Sequence, residues 1–366
     1  MNIECVKEKF VKALSKAEKV TGRNITLPIL SCVLLEAKDS VLTIKATNLD
    51  LGIEIKLPVK VIKPGSVAVP GSILSNFVSN LNNEKNISLE VVDGNLKITT
   101  SHSHSTIKAF PIDDFPSIPK VSDATTFTFN TQDLLKGFKY VAYSASNSTI
   151  RPVLSSILMY PEDDFVVCVA TDSFRLAEKK IKVKKPKEFK QVLIPLKNIP
   201  EIIRTLEDTK DEMTVLLNQN QIAFVYEDIY ITSRVIDGTF PDYRQLITKD
   251  IKTEVVVLKQ DLVGALKVSN IFSDKFSQVI FDISGKDKKF NISTKNIDIG
   301  ENIQNIDAVI KGEDLTVSFN YKYIIDCFNS IESDSVSLQF NDRNHPMLIS
   351  GVGDKNFLYL VMPMNK

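Results

Sequence analysis

The chain has 366 residues, 43% of them hydrophobic and 25% charged, with 13 Gly and 15 Pro. These are the proportions of a globular protein long enough for two or three domains, which excludes collagen-like, low-complexity and wholly disordered classes. Lys plus Arg and Asp plus Glu both number 45, so the formal net charge is zero, and any contact with nucleic acid must use a local patch rather than bulk positive charge.

The opening stretch Met1–Phe10 carries acidic residues and lacks the apolar core of a secretory signal. No uncharged apolar run approaches the roughly 18 residues of a membrane span. A short strand is expected over Asn2–Cys5, then an amphipathic helix from about Val6. Plotted at about 100° per residue, Val6, Phe10, Ala13, Leu14 and Ala17 form a core stripe. Lys9, Lys12, Lys16, Lys19 and Arg23 form a basic stripe, and Glu4, Glu8 and Glu18 take the remaining side. Two alternating strands should follow, then a Pro-marked strand at Val69-Pro70 leading into a second helix near Ile73–Leu81. Strands Ile87–Val92 and Leu96–Thr100 flank the turn Asp93-Gly94. His102-Ser103-His104 alternates as a solvated strand and has no third ligand nearby, so no metal site is expected. A linker falls near Val121–Thr125.

The same grammar then repeats. A strand at Thr126–Phe129 leads into a helix from Thr131, where Lys136 and Lys139 share a face with Tyr143, away from Leu134, Phe138 and Val141. The run from Lys179 to Lys187 alternates until Pro186, as a lysine-guarded edge strand does. A helix at Ile199–Leu206, a strand at Met213–Leu217 and a linker near Thr248–Ile251 complete the unit. The third opens with a strand at Glu254–Leu258, a helix from Lys259 and a second helix near Tyr323–Ile331.

Fixed offsets support this repetition. Leu27-Pro28-Ile29-Leu30-Ser31 recurs 124 residues on as Arg151-Pro152-Val153-Leu154-Ser155. Ala46-Thr47-Asn48 recurs 124 on as Ala170-Thr171-Asp172, and 123 further as Ser293-Thr294-Lys295. Val69–Leu74 matches Ile194–Ile199 and then Phe319–Ile324, each step being 125. The expected fold class is α+β: three tandem repeated domains of antiparallel sheets with two helices each, over 1–124, 125–251 and 252–366.

Motifs that carry chemistry are missing. Gly351-Val352-Gly353 lacks the third glycine of a dinucleotide loop, Gly285-Lys286 lacks the rest of a P-loop, and neither GxSxG nor HExxH occurs. Cys5, Cys32, Cys168 and Cys327 form no CxxC pair, as expected of a cytoplasmic protein. Asp172 and Arg175 could mark the polar cleft of a hydrolase or transferase, but an isolated pair after a strand favours a salt-bridged loop. No catalytic residue, cofactor or metal is expected.

Leu27–Leu30, Ala170–Leu176, Asp237-Gly238-Thr239-Phe240-Pro241-Asp242-Tyr243, Phe319–Tyr323 and the terminal Val361-Met362-Pro363-Met364, read with the three repeats, resemble the bacterial β sliding clamp family, the processivity subunit of DNA polymerase III. The resemblance covers the whole chain. It implies a DNA clamp fold in which each chain is half of a ring around duplex DNA. It also implies a homodimer, with Ile107 and Lys108 meeting Ile271 and Phe272. Partners would be duplex DNA, held without sequence preference, together with the replicative polymerase subunit, the clamp loader and other proteins carrying a clamp-binding motif. Lys9, Lys12, Lys16, Lys19, Arg23, Lys136, Lys139 and Lys197 would face DNA. A peptide-docking groove would comprise Leu154, Thr171, Ser173, Phe174, Arg175, Leu176, Pro241, Gln245, Leu246, Phe276, Asn320, Tyr323, Leu348, Val361, Met362, Pro363 and Met364. Ser173-Phe174 stands where members often carry glycine and a smaller or polar ring residue, and Gln245 where arginine is common. The loop Ser148–Val153 lacks an aromatic pair that some members direct toward DNA.

Overall fold

A computed structural model describes residues 1–22, 26–183, 189–247 and 250–364. In chain order, the first repeat runs β1 (Asn2–Val6), α1 (Lys7–Val20), β2 (Cys32–Lys38), β3 (Val41–Thr47), β4 (Leu51–Pro58), β5 (Lys60–Lys63), β6 (Gly65–Pro70), α2 (Gly71–Ser79), β7 (Asn86–Val92), β8 (Asn95–Thr99) and β9 (His104–Ile107). The second runs β10 (Thr125–Asn130), α3 (Thr131–Ala142), β11 (Ser156–Glu162), β12 (Phe165–Thr171), β13 (Arg175–Lys182), β14 (Val192–Pro195), α4 (Ile199–Leu206), β15 (Glu212–Leu217), β16 (Gln221–Tyr226) and β17 (Ile229–Arg234). The third runs β18 (Thr253–Leu258), α5 (Lys259–Ile271), β19 (Gln278–Ser284), β20 (Lys289–Asn296), β21 (Gly300–Ile306), β22 (Ala308–Gly312), β23 (Leu315–Asn320), α6 (Tyr321–Ile325), β24 (Ser335–Phe340), β25 (Met347–Gly351) and β26 (Phe357–Val361).

The elements gather into two compact units, residues 1–132 with 198–235 and residues 133–197 with 236–366. The first unit holds a sheet ordered β5-β1-β7-β8-β9 and a longer one ordered β10-β15-β16-β17-β4-β3-β2-β6. The second holds β14-β11-β12-β13-β26-β25-β24-β18-β22 and β21-β20-β19-β23. Every pairing is antiparallel.

In α1, Phe10, Ala13, Leu14 and Ala17 are buried as the periodicity requires. Val6, assigned to the same stripe, is 47% exposed because it ends β1 and precedes the helix. The alternating pair expected after each first helix is a larger set of strands. Of the additional members, β4 alternates in sequence, Leu51, Ile53, Ile55 and Leu57 against Gly52, Glu54, Lys56 and Pro58, although Leu51–Ile55 are all buried, whereas β13 shows no alternation over Arg175–Lys180. The lysine-bearing β13 is not an edge strand: it lies between β12 and β26. Two of its lysines are answered by carboxylates, Lys179 by Asp354 and Lys180 by Glu162. The rest of that run, 184–188, lies outside the described residues. His102 precedes β9 and only His104 belongs to it, so the two do not alternate on one strand. The third repeat's second helix is a single short α-turn, Tyr321–Ile325, continued by a 3-10 segment Asp326–Ser330. All four cysteines are buried, and burial pushes the Cys5 and Cys168 thiols up to about 12 and Cys32 to about 11.

Candidate peptide-docking groove

The turn between β12 and β13 is built by its own side chains. Asp172 Oδ1 accepts the backbone N–H of Phe174 at 2.9 Å and of Arg175 at 3.0 Å. The Thr171 hydroxyl donates to the Arg175 carbonyl at 2.7 Å and accepts the Ser173 N–H at 3.1 Å. Short polar side chains turn a backbone this way because they replace its missing partners. The turn drives Ser173 to φ +80°, a left-handed conformation that suits glycine better than serine. It also leaves Phe174 58% exposed, its ring stacked on Tyr323 with centroids 6.0 Å apart.

Arg175 is pinned rather than presented. Its Nε donates to Asp172 Oδ2 at 3.0 Å, its Nη1 donates to Asp326, and its guanidinium lies 5.0 Å from the centre of the Tyr323 ring. Its side chain keeps 12% exposure. The pair Asp172–Arg175, weighed above as a cleft for acid–base chemistry, therefore serves as a structural clasp.

Beside this turn lies a cavity of about 330 Å³. Of the expected groove residues, Leu154, Thr171, Ser173, Arg175, Leu176, Pro241, Gln245, Leu246 and Met362 line it. Asp242, Tyr243 and Leu360 line it too and were missed, their signals being a loop and the inner side of a strand. Leu348 and Val361 stand in the core instead, at 5% and 0% exposure. Val361 sits opposite Arg175 on the β13–β26 ladder.

The remaining expected residues follow the chain end. The Met362 N–H donates to the Phe174 carbonyl and the Met364 N–H to Ser318, both at 2.8 Å, which carries Pro363 across from β13 to β23. Asn320 caps α6 by accepting the Lys322 N–H at 2.9 Å, and donates to the Phe276 carbonyl at 3.2 Å. Phe276 is 58% exposed.

One wall of the cavity is latched from beneath. The Tyr243 hydroxyl donates to Glu178 on β13 at 2.5 Å and meets the Tyr160 hydroxyl at 2.7 Å. Arg244 donates to Tyr160 at 3.0 Å and pairs with Glu162. Burial, then the Glu178 carboxylate, raises the Tyr243 hydroxyl well above the ordinary range, so it remains a donor.

The expected DNA-facing lysines are distributed unevenly. Lys9 and Lys12 are exposed, and Lys12 approaches Asp208 at 3.6 Å. Lys16 is held by Asp208 at 3.7 Å and by the Thr205 carbonyl at 2.6 Å; burial lowers its pKa and Asp208 partly restores it. Lys19 pairs with Glu18 at 2.9 Å and Lys136 with Glu332, while Lys139 and Lys197 are exposed. Arg23 lies outside the described residues. Of the expected interface residues, Ile271 is 64% exposed and Lys108 is exposed, whereas Phe272 is half-buried and Ile107 is 7% exposed at the end of β9.

Comparison with known proteins agrees over the full length. The chain is 26% identical over 377 residues to the Bacillus subtilis beta sliding clamp and 24% identical over 374 to that of Staphylococcus aureus, covering 100% of this chain and 99% of each relative. Solved structures of the DNA polymerase III β subunit from Pseudomonas aeruginosa (25% identity, TM-score 0.95, all of both chains covered) and Thermotoga maritima (26%, 0.94, 100% of this chain and 99% of that one) share the fold. Models of the DNA polymerase III β subunit N-terminal, central and C-terminal domains match residues 1–119, 128–242 and 244–365; with the clamp fold in place, the chain belongs to the DNA polymerase III β subunit family, the sliding clamps.

Proposed function

We propose that the protein is a DNA sliding clamp of three domains, 1–124, 125–251 and 252–366. Two copies close a ring around duplex DNA, and the groove beside Arg175 tethers the replicative polymerase, the clamp loader and other motif-bearing proteins in the cytoplasm. It needs no cofactor and carries out no turnover of its own.

The observation that supports closure is a repeated junction with one member missing. β4 of the first repeat pairs with β17 of the second, Ile53 opposite Ile231. The equivalent β13 pairs with β26 of the third, Ala177 opposite Tyr359. The remaining equivalents, β21 and β9, each have one neighbour and so end their sheets. The repeat also gives the register. Ile53, Ala177 and Ile303 stand opposite Ala46, Ala170 and Ser293 within their own hairpins. Ile231, Tyr359 and Ser105 likewise stand opposite Phe224, Ile349 and Ile98. If the missing junction follows the same register, Ser105 of one protomer stands opposite Ile303 of its partner. Ile303 is 67% exposed in the single chain, and unpaired apolar edges are templates for such pairing. A head-to-tail contact makes filaments unless rotation closes it.

Within a ring, the lysine faces need only tolerate DNA. Each phosphate neutralised adds a slope of about −0.9 to log K against log salt, so binding to open duplex should be weak and readily lost in salt. Light scattering should give a mass twice 41.0 kDa. Protein loaded on a nicked circle should co-elute with it in high salt and be lost once the circle is cut; retention on DNA with free ends would refute the clamp reading.

A further inference from the structure

We propose that the groove selects peptides whose apolar anchors are flanked by lysine or arginine, because its mouth carries surplus negative charge. This rests on the groove being the docking site. The apolar lining, Leu154, Leu176, Leu246 and Leu360, sorts partners by size and shape, so discrimination among equally apolar segments falls to the charges around it.

Among the described residues, Arg175 is the only cation lining the cavity, and it is engaged by two carboxylates, Asp172 and Asp326. Those three groups leave one net negative charge. Asp242 adds another: it lines the cavity, is exposed, and among the described residues enters no salt bridge. Its Oδ1 accepts the backbone N–H of Arg244 at 3.3 Å. The Arg244 side chain is turned to Tyr160 and Glu162. Gln245 donates its amide to the Asp242 carbonyl at 2.9 Å and contributes no charge. A cationic residue next to the anchors meets these carboxylates, whereas an acidic one meets repulsion. With Asp242 exposed and the Asp326 side chain 42% exposed, the effect is that of rim charges, about threefold to tenfold at low salt and largely screened near 0.5 M.

The test is selection of a randomised peptide library on the full-length protein, followed by fluorescence anisotropy of the selected peptides. Recovered peptides should share an apolar core and carry Lys or Arg rather than Asp or Glu beside it. Replacing those flanks by Glu should weaken binding about threefold to tenfold at low salt. Asp242→Asn, which keeps the oxygen that caps Arg244, should shrink that gap. An apolar core without charge bias, or a bias unchanged in Asp242→Asn, overturns the proposal and leaves the docking site standing. Peptides that bind Leu246→Asp, altered at a 42% exposed position of the lining, as tightly as the parent overturn both.

Discussion

In the first repeat the turn Thr47–Leu51 joins β3 to β4, and in the second Thr171–Arg175 joins β12 to β13. Both threonine hydroxyls donate to the carbonyl four residues on, at 2.9 and 2.7 Å. Both accept the N–H two residues on, at 3.1 Å. Asn48 and Asp172 each accept two further backbone N–H groups, and Leu49 and Ser173 share a left-handed backbone at φ +78° and +80°. The turns share this backbone while their side chains differ, most sharply at their last residues. Leu51 is 1% exposed, whereas Arg175 is clasped by Asp172 and Asp326 beside the apolar cavity. One backbone solution occurs twice, and in the second turn the cavity proposed to dock peptides is lined by side chains whose partners come from elsewhere in the chain.

Exchanging the differing residues tests this most severely. Leu51→Arg places a guanidinium in a buried position whose neighbour is the neutral Asn48, and should cost about 3–5 kcal/mol. The reverse change, Arg175→Leu, leaves Asp172 and Asp326 facing each other across an apolar side chain. Because Asp326 is substantially solvated, that loss should be about 1–2 kcal/mol. Urea unfolding measures both. A near-neutral Leu51→Arg would mean that the carboxylates of the second turn are not what makes arginine tolerable there.

The comparison extends one strand further. Glu54 and Glu178 are equivalent, both nearly buried at 9% and 7% exposure. Lys120 answers Glu54 from a 57% exposed side chain, while the buried Tyr243 hydroxyl answers Glu178. Tyr243→Phe should cost about 1–3 kcal/mol, since water cannot readily replace the lost donor. Lys120→Met should cost under about 1 kcal/mol, as solvent can take the lysine's place. Tyr243→Phe should also weaken peptide binding, by loosening the segment that carries Pro241 and Leu246. Unchanged affinity would show that the latch supports the fold alone.

These pairs also explain what was legible in the sequence. The 124-residue offset that aligned Ala46 with Ala170 holds because both occupy the same ladder position, opposite Ile53 and Ala177. The core face of α1 was legible from periodicity, and nine lining residues of the cavity from the family's motifs. β4 kept its period-two pattern, Leu51, Ile53, Ile55 and Leu57 alternating with Gly52, Glu54, Lys56 and Pro58, even though Leu51–Ile55 are all buried. β13 read as an edge because its neighbour β26 lies far along the chain and leaves no local trace. The same distance hid the state of Arg175, whose second carboxylate is 151 residues away, and the latch from Tyr243 to Glu178, 65 residues away.

The smallest expected effect bears on how far the two turns are equivalent. A non-glycine residue in the left-handed region costs about 1–2 kcal/mol. Glycine relieves that strain but returns roughly 0.5–1 kcal/mol through its freer unfolded chain. Ser173→Gly should therefore stabilise the protein by about 0.5 kcal/mol. Leu49→Gly begins from the same backbone but also removes a side chain that is only 43% exposed, so burial lost there should cancel the gain. Since φ and the threonine cap match, the difference between the two variants isolates what the Leu49 side chain contributes. Thermal unfolding of both should show Ser173→Gly melting above the parent and Leu49→Gly at or below it. If Ser173→Gly melts lower instead, the serine side chain contributes more than its backbone strain costs, and the likeness of the two turns stops at the main chain.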